Sequence, residues 1–166
     1  MSTFYHFDSG LDESIILAAC FDLDWTLIKP KSTKFPKTFD DNVIMSNRIN
    51  VLKSYIKYGY KIIIFTNQKV TKTQPLQFKI NRMYDIINKF KNEGIDIIIY
   101  MATADNNFRK PNLGMWDMFR QKYNKLEAAF YCGDAAGRKE DFSSSDLEFA
   151  NNIAIKFYTP EELFNM

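Results

Sequence analysis

The sequence predicts an α/β fold: a doubly wound parallel sheet with helices on both faces and no cap domain. Three observations carry this. Residues 15–21, 61–65 and 95–102 are nearly unbroken apolar runs of strand length, the pattern of strands covered on both faces. Segments with helical apolar spacing separate them, and such alternation is the mark of right-handed crossovers in a parallel sheet. Polar motifs then follow the strands immediately, where open α/β sheets bind their ligands.

Composition sets the bounds. A chain of 166 residues, 46% hydrophobic and 16% aromatic, suits one domain with a proper core, taken here as residues 1–166, and excludes disorder. The net charge of +2 and pI of about 8.4 do not by themselves demand a nucleic-acid partner. No run is long enough to span a membrane and no signal core opens the chain, so an intracellular site, nuclear or cytoplasmic, is expected. Two cysteines, Cys20 and Cys132, exclude a disulfide framework and a multi-cysteine zinc site, so no zinc is expected.

In order, residues 1–13 read as a loosely packed leader compatible with an edge strand. The central strand 15–21 follows and ends at Asp22-Leu-Asp24. Residues 29–42 form a basic flap, because two prolines and four lysines between Lys29 and Phe39 oppose helix and central strand. Residues 43–58 carry Ile44, Ile49, Leu52, Tyr55 and Ile56 at helical spacing and stop at Gly59, a natural C-terminal cap. Strand 61–65 ends at Thr66-Asn67-Gln68, and a polar connection leads to a helix over 75–91 with Ile80, Met83, Tyr84, Ile87 and Phe90 expected to face the core. Strand 95–102, a loop, a helix over 116–123 and strand 128–132 come next. Gly133-Asp-Ala-Ala-Gly-Arg138 follows, then a fifth strand at 152–157. Thr159-Pro-Glu-Glu162 has the residues of a capping box that starts a last short helix. Cys20 and Cys132, each two residues before an aspartate, are expected close together on neighbouring strands, buried and reduced.

Two aspartates ending a buried strand repel unless a cation or a shared proton compensates them. Asp22-x-Asp24-x-Thr26 after an apolar strand resembles the first motif of the haloacid dehalogenase superfamily of phosphotransferases. On that reading Asp22 is the nucleophile that attacks phosphorus to give an aspartyl phosphate. A Mg²⁺ ion, held by Asp22, by Asp134 and by Asp24 through its backbone carbonyl, neutralises the approach. The Asp24 side chain protonates the leaving oxygen and later deprotonates water. Thr66 and Lys110 suit phosphate oxygens. Arg138 either orients acidic neighbours such as Asp141 or grips phosphate, and Asp146 reads as a helix cap.

The likeness narrows further along. Phe21-Asp-Leu-Asp-Trp-Thr-Leu-Ile28, Phe65-Thr-Asn-Gln68, Arg109-Lys-Pro111 and Gly133-Asp-Ala-Ala-Gly-Arg138 with Asp141-Phe-Ser-Ser-Ser-Asp146 resemble the phosphatase domain of polynucleotide kinase 3′-phosphatases. The resemblance implies Asp22 as nucleophile, Asp24 as acid/base, Mg²⁺ on Asp22 and Asp134, and phosphate contacts from Thr66, Asn67 and Lys110. It implies a stand-alone 3′-phosphatase acting on nucleic-acid ends, DNA foremost, in end repair. Trp25 departs from the pattern, standing where relatives often have glycine, and the ATP-cradling loop of a kinase half is absent.

Without a cap the site is open, which suits the end of a polymer. Lys31, Lys34 and Lys37 on the flap, with Lys69 and Lys72 past the second strand, form a candidate basic rim for nucleic acid. The alternatives are a small-molecule phosphatase of the sugar-phosphate or histidinol-phosphate kind, a phosphoprotein phosphatase, and a binding module that has lost catalysis.

Overall fold

The computed structural model describes residues 4–7, 15–31 and 33–165. In chain order its elements are β1 (Phe4–Phe7), β2 (Ile16–Phe21), β3 (Ile28–Lys29), β4 (Val43–Ile44), α1 (Arg48–Lys57), β5 (Tyr60–Asn67), α2 (Leu76–Asn92), β6 (Ile97–Ala102), α3 (Gly114–Lys122), β7 (Leu126–Cys132), α4 (Ser145–Asn152), β8 (Lys156–Tyr158) and α5 (Pro160–Phe164). Among the described residues, six strands form the main sheet in the order β1-β6-β5-β2-β7-β8. β1 is antiparallel to β6 and every other pairing is parallel.

The continuous apolar runs are explained by the layers. Alternate residues of each central strand enter opposite cores, so both positions must be apolar. Phe21, Ile62, Ile64, Ile97 and Ile99 pack with Leu52 of α1, Met83, Ile86 and Phe90 of α2, and Phe164 of α5. Cys20, Ile63, Phe65, Ile98 and Tyr100 pack with Met115, Trp116 and Phe119 of α3 and Phe149 of α4. Between β2 and β5 lie only the flap, the β3–β4 ribbon and α1, and between β5 and β6 only α2. No cap is inserted among the described residues. No described helix is long and apolar enough to cross a membrane.

Several elements differ from expectation in their limits. The helix expected over 43–58 begins only at Arg48: Val43–Ile44 pairs with Ile28–Lys29 instead, and Asn47 precedes the helix in the left-handed conformation, φ 66°. Its stop is as expected, with Gly59 at φ 91° beyond the last turn. Tyr84 of α2, expected to face the core, is exposed. The fifth strand shrinks to Lys156–Tyr158, because 145–152 is helix α4, with Phe149 and Ala150 buried one turn beyond Asp146. The serine run 143–145 masks that helix, since serines favour turns and caps over helix interiors. Within the leader, Phe4–Phe7 is an edge strand; residues 1–3 and 8–13 lie outside the described residues. The capping box forms: Thr159 Oγ1 accepts from the Glu162 N–H at 3.3 Å, and Glu162 Oε2 accepts from the Thr159 N–H at 2.7 Å.

The cysteines are buried and free on neighbouring strands, but they do not face each other. Cys20 registers with Tyr131, and Phe21 with Cys132, so the thiols enter opposite cores. Burial raises both thiols well above the usual range, which keeps them protonated and inert.

Candidate active site

Every strand end named above reaches the same edge of the sheet. Asp22 leaves β2, Thr66 and Asn67 close β5, Lys110 lies in the loop after β6, and Asp134 follows β7. Oxygens of Asp22, Asp134 and Asp146 all lie within 4.8 Å of one another. Lys110, 3% exposed, is aimed into that group. Its Nζ donates to Asp22 Oδ1 at 2.9 Å, Asp146 Oδ1 at 2.8 Å and the Tyr131 hydroxyl at 2.8 Å.

One cation facing three carboxylates leaves the cluster negative. Burial, then the Asp146 charge, pushes the Asp22 carboxyl well above the usual range, and Lys110 only partly offsets this. Burial and Asp146 likewise push Asp134 up to about 6. Burial alone would lower the Lys110 ammonium, but Asp146 and Asp22 reverse the sign and hold it above its ordinary value. Crowded hard oxygens with a charge deficit are the donor set a Mg²⁺ ion takes. Asp146 is less available than its partners, since Oδ1 accepts from Lys110 and from the Tyr131 hydroxyl (2.9 Å), and Oδ2 from the Ala135 N–H (3.0 Å). Asp22 and Asp134 are therefore the side chains that would hold the ion.

Asp146 is the acid that sequence reading assigned only to a cap. It sits in the first turn of α4, but its carboxylate points into the site and anchors Lys110. The available signal was Gly133: a Cβ there would lie 2.4 Å from Asp146 Cγ, so only glycine leaves room for the carboxylate.

Asp24 is held apart from the cluster. Its carboxylate pairs with Arg82 of α2, and Oδ2 also accepts from Gln68 Nε2 at 2.7 Å. Burial would raise it, but Arg82 and these hydrogen bonds keep it below the usual carboxylate range. The side chain of Asp24 is committed to Arg82 and Gln68, which leaves its backbone carbonyl for the metal contact expected from the sequence. Arg82, 1% exposed, also donates to Asn42 Oδ1 at 2.9 Å and Gln68 Oε1 at 3.2 Å. Neither Arg82 nor Gln68 received a role from sequence. Because the Asp24 side chain is one-third exposed, the pair is discounted for solvent. Arg82→Gln is expected to lower the unfolding free energy by about 1–2 kcal/mol and to slow turnover by mispositioning Asp24. Urea unfolding beside a phosphate-release assay checks this, and wild-type values in both would remove Arg82 from the site.

The expected phosphate contacts divide. Thr66 is buried at the end of β5, and its Oγ1 accepts from Gln68 at 2.9 Å. Asn67, expected on phosphate, spends its amide on Lys110: Oδ1 accepts from the Lys110 N–H at 2.9 Å, and Nδ2 donates to the Lys110 carbonyl at 3.1 Å. It positions the lysine. Arg138, also expected on phosphate, grips Asp141 through Nε at 2.9 Å and Nη2 at 3.1 Å, and reaches Glu161 at 2.8 Å. It orders the loop after β7, the other role read for it.

Lys34 and Lys37 line a groove of about 430 Å³ with Thr33, Phe35, Pro36, Thr73 and Gln74. Lys69 is paired with Asp105 at the surface. The Lys31 N–H donates to Asp41 at 2.9 Å, fixing the flap's base. Among the described residues, Lys72 does not line this groove, although Thr73 and Gln74 beside it do.

With this geometry, relatives can be compared. The family model described as polynucleotide kinase 3 phosphatase matches residues 17–164. The chain is 38% identical over 154 residues to the bifunctional polynucleotide phosphatase/kinase of Schizosaccharomyces pombe, spanning 87% of this chain and 36% of that protein. It is 30% identical over 215 aligned positions to the polynucleotide 3′-phosphatase of Saccharomyces cerevisiae, spanning 93% of this chain and 90% of that protein. In fold it resembles a HAD-like phosphatase from Mesorhizobium loti, at TM-score 0.74 and 15% identity, over 92% of this chain and 77% of the other. It also resembles a D,D-heptose 1,7-bisphosphate phosphatase from B. bronchiseptica complexed with magnesium and phosphate, at TM-score 0.67 and 16% identity, over 87% and 80%. The carboxylate cluster, the open parallel sheet and the family match lead to one statement: this chain belongs to the polynucleotide kinase 3′-phosphatase family, on a HAD-like phosphatase fold.

Proposed function

We propose that this protein is a Mg²⁺-dependent polynucleotide 3′-phosphatase that clears 3′-phosphates from DNA ends during repair in the nucleus or cytoplasm. The observation that carries the reading is the buried Asp22–Lys110–Asp146 cluster at an uncapped sheet edge. Asp22, Asp134 and the Asp24 carbonyl would hold a Mg²⁺ ion, which would supply neutralisation of the phosphate charge. An Asp22 oxygen forms the bond to phosphorus as the bond to the 3′ oxygen breaks; Asp24, which Arg82 and Gln68 hold ionised in the free protein, must take up a proton as substrate binds in order to pass it to the leaving 3′ oxygen. Asp24, held ionised by Arg82 once it has given up that proton, then takes one from the water that releases phosphate and restores Asp22. Lys110 and Thr66 bind the phosphoryl oxygens, with Lys110 set by Asn67.

The test is phosphate release from a 3′-phosphorylated oligonucleotide with and without Mg²⁺. Turnover is expected only with the ion. It should exceed that of a 3′-mononucleotide in kcat/KM, and raised salt should narrow the gap, because basic-rim contacts to phosphates release counterions. A 5′-phosphorylated oligonucleotide should be a poor substrate, since its chain leaves the phosphate in the other direction. Equal efficiency on mononucleotide and oligonucleotide at low salt would return the small-molecule reading to first place.

A further inference from the structure

Trp25 directly follows Asp24, and it occupies a conformation that tryptophan rarely takes. Its φ is 62°, in the left-handed region that favours glycine and strains a bulky side chain. The turn around it is closed by the Trp25 N–H donating to the Ile28 carbonyl at 2.7 Å, which fixes that conformation. The indole nevertheless stays 38% exposed. Its Nε1 donates to the Lys34 carbonyl at 3.3 Å, tying it to the flap wall of the 430 Å³ groove. A second set of hydrogen bonds links the same flap to Gln68, a partner of Asp24. Gln74 Nε2 donates to the Pro36 carbonyl at 3.1 Å, and Lys79 Nζ joins Gln74 Oε1 (2.7 Å) to Gln68 Oε1 (3.2 Å), the partner of Asp24.

We infer that Trp25 is a specificity-determining residue: its indole is the stacking platform for the terminal nucleobase, and the flap groove carries the strand behind it. This rests on the 3′-phosphatase reading. The leaving oxygen belongs to the terminal sugar, and Asp24 is the group that protonates it. The terminal nucleoside must therefore lie just outside Asp24, where the next residue presents a half-open aromatic ring. Bases of any sequence stack on such a ring, and Lys34 and Lys37 in the groove face a backbone that carries negative charge. The ring belongs to neither hydrophobic core, and its strained backbone is not repaid by core packing, which leaves the ring free to serve a ligand.

The experiment compares wild type, Trp25→Gly and Trp25→Phe on a 3′-phosphorylated oligonucleotide and on p-nitrophenyl phosphate with Mg²⁺. Glycine relaxes the φ, so thermal unfolding should occur at or above the wild-type temperature. The ratio of kcat/KM, oligonucleotide over small ester, should fall about tenfold or more in Trp25→Gly and only about twofold in Trp25→Phe, which keeps the ring. Tryptophan emission should be quenched by a 3′-hydroxyl oligonucleotide in wild type, and that quenching should be lost in Trp25→Phe. An unchanged ratio in Trp25→Gly, a Phe variant as poor as the Gly variant, or no quenching would overturn the stacking role while wild-type preference for the oligonucleotide keeps the parent reading. Absence of that preference in wild type would overturn both.

Discussion

Asp22→Asn is expected to abolish turnover, by at least about a thousandfold, and to leave the metal-free protein as stable as wild type or more so. The loss follows from chemistry: an amide oxygen is a poor nucleophile and a poor ligand. The gain follows from the cluster. Three carboxylates converge on one ammonium, and burial already pushes the Asp22 carboxyl up, so its charge costs the fold more than it returns. Function and stability part at this residue, as they do where an active site stores unfavourable charge. Asp24→Asn should behave differently. General acid–base catalysis contributes about 10²–10⁴-fold, so turnover drops by that order, while Mg²⁺ affinity is largely kept because the Asp24 side chain lies on Arg82 and Gln68. Titration calorimetry with Mg²⁺ on both variants checks the roles. If Asp24→Asn loses the ion and Asp22→Asn retains it, the assignments are reversed.

The fold was readable wherever burial on both faces forced apolar residues into consecutive positions. Ile62, Ile63 and Ile64 enter opposite cores in turn, and no helix or exposed strand asks for that run. What escaped were elements whose local signals conflict with their neighbours' demands. Helix α4 starts beneath three serines, and Val43 and Ile44 have helical spacing yet pair with a strand end. The two thiols were placed on neighbouring strands by pattern, but the register that turns Cys20 and Cys132 to opposite faces is a property of pairing. A one-residue offset in register inverts a face, and nothing local to either strand states it.

Within the site the same division holds. Asp22 and Asp134 carry their meaning in position, each just past a buried run, whereas Lys110 was marked by the proline that follows it. Arg82 lies on a helix whose apolar stripe points to the core, and nothing in that stripe announces an arginine that is itself buried. Its partner is 58 positions away, so the pair exists only after α2 has packed onto the sheet. Asn67 and Arg138 have donors and acceptors suited to phosphate. What redirects them is supply: the Lys110 backbone occupies Asn67, and Asp141 with Glu161 occupies Arg138. Residue type gave the chemistry that was available, and three-dimensional competition decided where it was spent.

Lys110→Met is expected to show the largest loss of stability of any single change in the site. Methionine has nearly the lysine's shape, so packing against Tyr131 is kept while the charge and three hydrogen bonds are lost. Asp22 and Asp146 then face each other without the cation that separates them. Removing one partner of a buried ion pair typically costs about 3–5 kcal/mol, and Asp146, 1% exposed, has no access to water to soften this. Turnover should fall together with stability, since the ammonium is also the group proposed to receive phosphoryl charge. The two effects separate in a second variant. Asp146→Asn added to Lys110→Met removes one of the stranded charges, so the double variant should recover part of the lost stability, a coupling of roughly 1–3 kcal/mol between contacting residues. It should recover none of the activity. Urea unfolding of the wild type, both single variants and the double variant closes the cycle, with phosphate release measured on each. Additive losses of stability would show that Lys110 and Asp146 do not compensate each other, and a catalytically competent Lys110→Met would remove the ammonium from the chemistry.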